Sequence, residues 1–387
     1  SSLPFVKKVQ LVGNKVSDVL TSNVQNKKKI NQLGNIFFTQ SEAEDSIYGI
    51  SYRQLEMLGV ARLQSLGILG DSVLIGVLDT GFRWKAHQSL MSINVVGEYD
   101  FLFLDTITAN EQQDTPSQDI HGTMVLSIIA GFSVGRLIGA SPLSMFILGK
   151  TEDLHRETRF EEDCFASAIE WMDSAGVDII SSSLGYFNFD SANVNYLYED
   201  LNGKTALTSI YANKAFERGI VMVTAVGNRG PEPSTLHAPA DAFGEISVGA
   251  VDVTGDTVLK FSSRGPTFDG RIKPDFCAMG VGVVSALAVQ PDSFIVGTGT
   301  SVATPLISGG IATLISTFEE LTPVQVKTLL VQHSSRSKEP DNNFGYGIPN
   351  FYSTALDYDI VISSPITFRI SDRQRIVFSV VYKKPIN

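Results

Sequence analysis

Four short apolar runs alternate with helical stretches along much of this sequence. The runs are at residues 73–78, 144–148, 177–182 and 220–224, and the helical stretches at residues 161–175 and 206–218. The first run lacks polar and apolar alternation, which is typical of a strand buried on both faces. Helices between such strands favour right-handed crossovers and a mostly parallel sheet covered on both sides. The sequence therefore predicts an α/β fold of three layers, α/β/α.

The size and charge of the chain exclude several classes of protein. With 387 residues, 43% hydrophobic and 18% charged, it can bury a large core as one big domain with appendages. A net charge of −11 argues against nucleic acid or an anionic membrane as a partner. No apolar stretch approaches the length of a membrane span. The chain starts without Met or a signal-peptide pattern, so we expect Ser1 to be a processed or trimmed start.

The stretch Gly-Thr-Ser-Val-Ala-Thr-Pro at residues 299–305 precedes a long apolar run at residues 306–318. A serine at a turn that opens a helix has an exposed hydroxyl, and the helix N-terminus favours developing negative charge. Ser301 is therefore a candidate nucleophile. Taken alone, the same stretch also fits a turn with a capping serine.

Two further residues stand where catalytic partners of Ser301 would be expected. Asp79 ends the apolar run at residues 73–78, and functional groups of parallel sheets gather at the carboxyl ends of strands. His121 opens a helix-like stretch of small and apolar residues. Each residue alone also fits a structural role: Asp79 as a turn residue, and His121 as a histidine whose ring nitrogens are hydrogen-bonded within the fold. The order Asp, His, Ser is one of the known arrangements of the serine-hydrolase triad.

Four motifs in this order resemble those of the subtilisin-like serine proteases, of the bacterial secreted type. They are V-L-D-T-G ending at Gly81, H-G-T starting at His121, V-T-A-V-G-N ending at Asn228, and G-T-S-V-A-T-P starting at Gly299. The similarity runs from about residue 48 to about residue 356. It implies the three-layer fold of that family and a serine endopeptidase secreted or held at the cell surface.

The resemblance also implies a role for each site residue. Ser301 would attack the peptide carbonyl, His121 would carry the proton, and Asp79 would orient the imidazole. The side-chain amide of Asn228 and the backbone N–H of Ser301 would hold the oxyanion. The substrate would be an extended polypeptide, bound as an added strand. The residues expected to bind it are Ser183, Leu184, Gly185, Ala225, Gly227, Arg229 and His237.

The pocket for the side chain before the scissile bond would lie between residues 183–185 and 225–227. His237 stands where the family often has a small residue, so an imidazole there should shorten the pocket. Arg229 brings a fixed positive charge that disfavours a cationic side chain. We therefore expect poor cleavage after Lys or Arg. The alternative is that both side chains point to solvent.

Three domains are predicted: an N-terminal extension or propeptide remnant at residues 1–46, a catalytic domain at residues 47–356, and, at residues 357–387, a β-rich appendage of one or two strands or the stub of a further module. A helix is expected at residues 53–66, and the capping box at residues 322–325 predicts the start of a last helix. The family resemblance leaves the chain's own propeptide open as an inhibitor.

No cofactor or metal ligand is assigned. The acidic stretch at residues 105–119 fits either calcium or solvent, and it has no spaced acidic repeat, so calcium stays open. Cys164 and Cys277 have apolar neighbours and are expected to be small buried residues rather than a disulfide scaffold. His87 is expected to be structural. Departures from the family pattern at Ile120, Met124 and Met279 concern packing around the site.

Three functional classes remain. Peptide-bond hydrolysis is the first, and ligation or cyclisation of peptides by a ligase or macrocyclase with the same acyl-enzyme is the second. A binding protein with a dead site is the third, and the complete set of catalytic residues counts against it. The first two differ only in whether water or an amine resolves the acyl-enzyme, and nothing in the sequence separates them.

Overall fold

The computed structural model describes residues 47–318, 320–358, 360–362, 366–371, 374–378 and 381–383. The predicted N-terminal extension at residues 1–46 lies outside these ranges. In the part of the chain that is described, no helix is both long enough and apolar enough to cross a bilayer.

A seven-stranded sheet forms the centre of the domain, and all its neighbouring strands are parallel, as the apolar runs predict. Its strands are β1 (Leu74–Asp79), β2 (Asn94–Asp100), β5 (Met145–Lys150), β6 (Ile179–Ser182), β7 (Val221–Ala225), β8 (Ile246–Val251) and β9 (Phe276–Met279). Their order across the sheet is β2-β5-β1-β6-β7-β8-β9. Within residues 47–318, two short antiparallel pairs lie outside this sheet: β3 (Phe132–Ser133) with β4 (Leu137–Ile138), and β10 (Val281–Ala286) with β11 (Phe294–Thr298).

Helices cover both faces of this sheet, so the predicted three-layer α/β/α architecture is confirmed. They are α1 (Tyr52–Glu56), α2 (Val60–Ser65), α3 (Ile120–Ala130), α4 (Arg159–Ala175), α5 (Leu207–Glu217), α6 (Thr300–Thr317), α7 (Pro323–Gln332) and α8 (Phe351–Tyr358). On β1, Ile75 and Val77 belong to the core cluster of α3 and α6, and Leu78 belongs to that of α4 and α5. Because both faces are apolar and covered, the strand has no polar side.

Local capping chemistry explains where two helices start. Thr158 and Glu161 form a capping box at the start of α4, and Thr322 and Gln325 form one before α7. Each box satisfies two backbone N–H groups that the first helical turn leaves without partners. Pro323 occupies the first turn of α7, where its missing N–H costs nothing. The predicted start of this helix is therefore confirmed, but it is not the last helix, because α8 (Phe351–Tyr358) follows it.

The single helix predicted at residues 53–66 is wrong, because the chain forms α1 and α2 with a break between them. Gly59 has a φ of +71°, which ends one helix and starts the next. A Cβ on Gly59 would lie 2.8 Å from Oδ1 of Asn350. Apolar periodicity continues through the break, which is why the sequence pattern missed it.

The C-terminal stretch has more strands than the one or two expected. Four short strands are described there: β12 (Ile360–Ile362), β13 (Ile366–Ser371), β14 (Gln374–Phe378) and β15 (Val381–Lys383). β12 pairs with β15 and β13 pairs with β14, both antiparallel. The domain boundary near residue 357 remains a prediction.

Candidate active site

Asp79 and His121 are in direct contact at the carboxyl end of β1. Nδ1 of His121 lies 2.7 Å from Oδ1 of Asp79, and the backbone N–H of Thr80 donates to the same oxygen at 2.8 Å. Since a carboxylate only accepts, Nδ1 carries the hydrogen and Nε2 of the neutral ring is left as an acceptor. The side chain of Asp79 is fully buried and that of His121 is 32% exposed. The pair therefore presents one imidazole nitrogen to the surface.

The environment of His121 favours its charged form. Burial alone would lower the pKa of His121, but the charge of Asp79 and its hydrogen bond outweigh burial and raise that pKa. The carboxylate thus stabilises the imidazolium that forms when His121 accepts a proton.

Ser301 lies in the first turn of α6, where its backbone N–H has no partner within the helix. Gly299, just before the helix, has a φ of +147°, which an L side chain rarely adopts. A Cβ on Gly299 would lie only 3.0 Å from Oγ of Ser301. Glycine therefore permits both the turn and an unobstructed serine hydroxyl.

Pro305 leaves the carbonyl oxygen of Ser301 without its usual helical donor, because proline has no N–H to offer four residues later. Ser183, which follows β6, supplies the replacement: its Oγ donates to that oxygen at 2.8 Å. The segment predicted to bind substrate is thus tied directly to the residue predicted to be the nucleophile.

Asn228 lies beside the same helix start. Its Oδ1 accepts from the backbone N–H of Thr300 at 3.0 Å and from Oγ1 of Thr300 at 3.1 Å. Because both groups of Thr300 donate, the side-chain atom of Asn228 that faces them is the oxygen. The amide nitrogen Nδ2 is therefore free to donate to another group. Asn228 is exposed, and its Nδ2 lies 3.8 Å from the position of a Cβ on Gly299.

The structure thus brings Asp79 to His121, and Asn228 and Ser183 to the start of α6. Helices α3 and α6, which carry His121 and Ser301, pack against each other. Within residues 47–318 no hydrogen bond joins the Ser301 hydroxyl to His121. Such bonds are often long without substrate and tighten when it binds.

His237 lies between the two walls of the predicted specificity pocket. A Cβ on Gly185 would lie 2.9 Å from Cβ of His237, and a Cβ on Gly227 would lie 2.8 Å from its ring. Burial and the charge of Arg229 lower the pKa of His237 to about 4, so the ring is neutral at pH 7. Leu184 and Ala225, also predicted here, are buried.

Arg229 does not extend freely into solvent, although it is exposed. Its guanidinium carbon lies 3.9 Å from the centre of the Phe187 ring, and Phe187 stacks on His237 with ring centres 6.1 Å apart. Arg229, Phe187 and His237 therefore form one continuous stack.

Sequence reasoning missed Gln118, which joins three segments near His121. Its side-chain nitrogen donates to the carbonyl oxygens of Thr80, at 2.8 Å, and Glu152, and its oxygen accepts from the N–H of Leu154. Gln118 thereby links the chain after β1 to the chain after β5. A buried glutamine leaves no pattern in the sequence by which to find it.

A cleft of about 470 Å³ adjoins His121 and residues 183–185. A larger groove of about 1010 Å³, between residues 49–57 and 333–350, contains none of the predicted site residues.

In the described part of the chain, two groups of three carboxylates converge to within 4.8 Å: Asp100, Asp105 and Glu111, and Glu152, Glu157 and Glu161. Calcium takes six or more oxygens. Asp100 already pairs with the buried ammonium of Lys150 at 2.8 Å. Neither group therefore makes a calcium site by itself.

The residues expected to be structural are buried. Cys164 and Cys277 are buried free thiols, and burial raises the pKa of Cys164 to about 12. His87 is buried, with its ring nitrogens 2.9 Å from Oγ of Ser89 and 2.8 Å from the carbonyl oxygen of Ser293. Met124 packs against the main core cluster.

Comparison with known proteins gives consistent matches. Residues 70–347 match the Subtilase family. Serine protease AprX of Bacillus subtilis (strain 168) is 30% identical over 314 residues, which are 73% of this chain and 66% of AprX. Subtilisin amylosacchariticus of Bacillus subtilis subsp. amylosacchariticus is 31% identical over 309 residues, covering 79% of this chain and 69% of that protein. The chain thus spans about two thirds of the length of these curated relatives.

A solved structure is also similar. It is a serine-to-alanine mutant of the protease domain of PatA, with a TM-score of 0.60 and 25% identity. The match covers 75% of this chain and 96% of the PatA domain. The fold described above is thus shared with a known protease domain.

Proposed function

We propose that this chain, which belongs to the subtilase family, is a serine endopeptidase that cleaves extended polypeptides through an acyl-enzyme on Ser301. The observation that carries the proposal is the 2.7 Å contact between His121 and Asp79, with Nε2 of His121 left as an acceptor. A general base needs such an acceptor and a carboxylate to stabilise its protonated form.

In the proposed mechanism, substrate binding brings the Ser301 hydroxyl into hydrogen-bond reach of His121 Nε2. His121 takes the hydroxyl proton as Oγ attacks the peptide carbonyl, then delivers it to the leaving amine. Nδ2 of Asn228 and the backbone N–H of Ser301 donate to the oxyanion of the tetrahedral intermediate. Water then attacks the acyl-enzyme, with His121 again as base, and releases the second product.

The test is chemical labelling combined with product analysis. A fluorophosphonate probe should label the protein at Ser301 only, and casein should yield new amino termini by mass spectrometry. Ser301→Ala should lose labelling and turnover while keeping its circular dichroism spectrum and melting temperature, because no large cavity forms. Ser316→Ala, which removes a half-buried hydroxyl on the same helix, is the control and should label normally.

An alanine variant that cleaves casein at the parent rate would rule out Ser301 as the nucleophile. The same mass spectra address peptide ligation: products joined to an added amine, in place of hydrolysed ends, would assign the chain to the ligase class.

We propose further that the protein acts outside the cell or at its surface, as the family resemblance implies. Fractionation of the source organism, followed by probe labelling of the medium and cell fractions, tests this. Label confined to the cytoplasm would contradict it.

A further inference from the structure

The cleft beside His121 is lined mainly by carboxylates. The acidic residues that line it are Glu152, Asp153, Glu157, Glu161 and Asp190. Arg156 and the two histidines, His121 and His155, are the groups that can carry positive charge there. The cleft is therefore strongly acidic and directly adjoins the proposed general base.

Glu152 is more than nine-tenths buried and lines this cleft. Its Oε1 accepts from the hydroxyls of Tyr186 and Thr151. No donor to its Oε2 is found among the described residues, and no cation pairs with it there. Burial, with the nearby charge of Glu161, raises the pKa of Glu152 well above its ordinary value. A cation close to the free oxygen would stabilise the charged form of this carboxyl group.

Glu157 also lines the cleft, where its side chain is at least partly exposed. In the described part of the chain its carboxylate makes no hydrogen bond or salt bridge. Burial, together with the charges of Asp190 and Glu162, raises its pKa to about 7. Glu161 also has a pKa near 7, from burial and from Glu157 and Asp153, although its two oxygens accept the N–H groups of Thr158 and Asp153.

We propose that this cleft takes a lysine or arginine side chain of the polypeptide substrate, at a position other than the residue directly before the scissile bond. The inference rests on the proposed function, because it names a substrate class for the same site. The bound cation lies between Glu152 and Glu157, whose free carboxylate oxygens face the cleft.

A side-chain cation suits this cleft better than a metal ion does. The two oxygens of Glu161 already accept the N–H groups of Thr158, the residue that caps α4, and of Asp153. Of the carboxylates that converge in this cleft, only Glu152 and Glu157 have an oxygen that accepts no hydrogen bond among the described residues. Calcium requires six or more oxygens, whereas an ammonium or guanidinium forms strong charge-assisted hydrogen bonds with individual carboxylates.

The cleft shares residues 183–185 with the predicted pocket that contains His237, but neither Arg229 nor His237 lines the cleft. A substrate can therefore be disfavoured by a basic residue directly before the scissile bond and favoured by a basic residue at another position.

The experiment is a positional peptide library cleaved by the full chain. At pH 8 we expect one position, not directly before the cleaved bond, to favour Lys and Arg over norleucine by about tenfold in kcat/KM, which corresponds to about 1.4 kcal/mol. Glu157→Gln should reduce that ratio to about twofold. Asp163→Asn removes the same charge from the exposed side of α4 and should leave the ratio unchanged.

The pH dependence of the ratio separates this role from a structural one. Glu157 and Glu161 gain protons as the pH falls through about 7, so the preference should nearly vanish at pH 6. Titration of His121 affects both substrates equally and cancels in the ratio. His155→Gln should retain the pH dependence and Glu157→Gln should weaken it.

The inference would be overturned if active enzyme cleaved basic and norleucine peptides equally at pH 8. It would also be overturned if Glu157→Gln left the preference for basic residues unchanged, or if His155→Gln removed the pH dependence of that preference. Failure of the proposed function has a different signature: no peptide would be cleaved and no fluorophosphonate would label Ser301.

Discussion

The hydroxyl of Ser183 donates a 2.8 Å hydrogen bond to the carbonyl oxygen of Ser301. Pro305 makes this bond necessary, since proline cannot donate to that oxygen within the helix. We expect Ser183→Ala to lower the free energy of unfolding by about 1–3 kcal/mol, because it leaves a buried carbonyl without a donor. Urea unfolding measures this, and kcat should fall as the start of α6 loosens.

Ser182 provides the matched control. It is the neighbouring buried serine, and its hydroxyl has no hydrogen-bond partner among the described residues. Ser182→Ala should therefore change the free energy of unfolding by less than about 1 kcal/mol. Equal losses in the two variants would show that the bond to Ser301 has no special importance.

The amide of Asn228 should contribute to kcat rather than to substrate affinity. Asn228→Ala is expected to lower kcat by about 10²–10³-fold with little change in KM, because the oxyanion exists only after attack. That range is the one established for the oxyanion-hole asparagine of subtilisin, a member of the same family. Steady-state kinetics on a chromogenic peptide measure the effect in this chain, and a change confined to KM would contradict the assignment.

His121 must be neutral to act as a base, so activity should rise with pH through its pKa. Asp79 raises that pKa above the ordinary value of 6.5, and the acid limb of the kcat/KM profile should therefore have its midpoint above pH 6.5. Asp79→Asn should move the midpoint of its residual activity to lower pH, because the carboxylate charge is lost. A midpoint that does not move would argue against this pairing.

The same shift has a consequence for stability. A histidine whose pKa is raised on folding stabilises the fold below its unfolded pKa, and this contribution is lost as the pH rises through the folded pKa. The stability difference between wild type and His121→Gln should accordingly shrink from pH 6 to pH 8. Thermal unfolding at these two pH values measures it.

Arg229 should disfavour a basic residue directly before the scissile bond. It stacks on Phe187 next to His237, and the His237 ring is neutral at pH 7, so Arg229 supplies the charge of that stack. We expect wild type to cleave poorly after Lys or Arg. Arg229→Glu should shift preference toward them, and Arg229→Gln should lie between. A dominant wild-type preference for Lys or Arg at this position would contradict the proposed role of Arg229.

The parallel sheet could be predicted because its strands are apolar on both sides. Val77 and Leu78 are neighbours on β1, and they pack against helices on opposite faces of the sheet. The start of α7 could be predicted because capping by Thr322 depends only on residues within one turn. The break at Gly59 could not, because glycine is tolerated inside helical patterns and its φ depends on packing.

Much of the candidate site depends on contacts between distant segments. The motifs indicated Asp79, His121, Ser301 and Asn228, but the bond from Ser183 to Ser301 spans 118 residues. Gln118 and the acidic cleft were also missed. The run of acidic residues from Glu152 to Asp163 was visible, yet only the fold separates Glu157, which faces the cleft, from Asp163, which faces solvent.

The position of β1 in the sheet bears on when the candidate site can assemble during synthesis. β1 lies between β5 and β6, both of which are made later, so the strand that ends in Asp79 has no partner when it leaves the ribosome. Ser301, on a helix that packs against β6, β7, β8 and β9, is translated later still. Chains grow from the N-terminus at about 5–20 residues per second. A nascent chain that stops before α6 already contains Asp79, His121 and Asn228 but lacks Ser301, so on the proposed function it cannot form an acyl-enzyme.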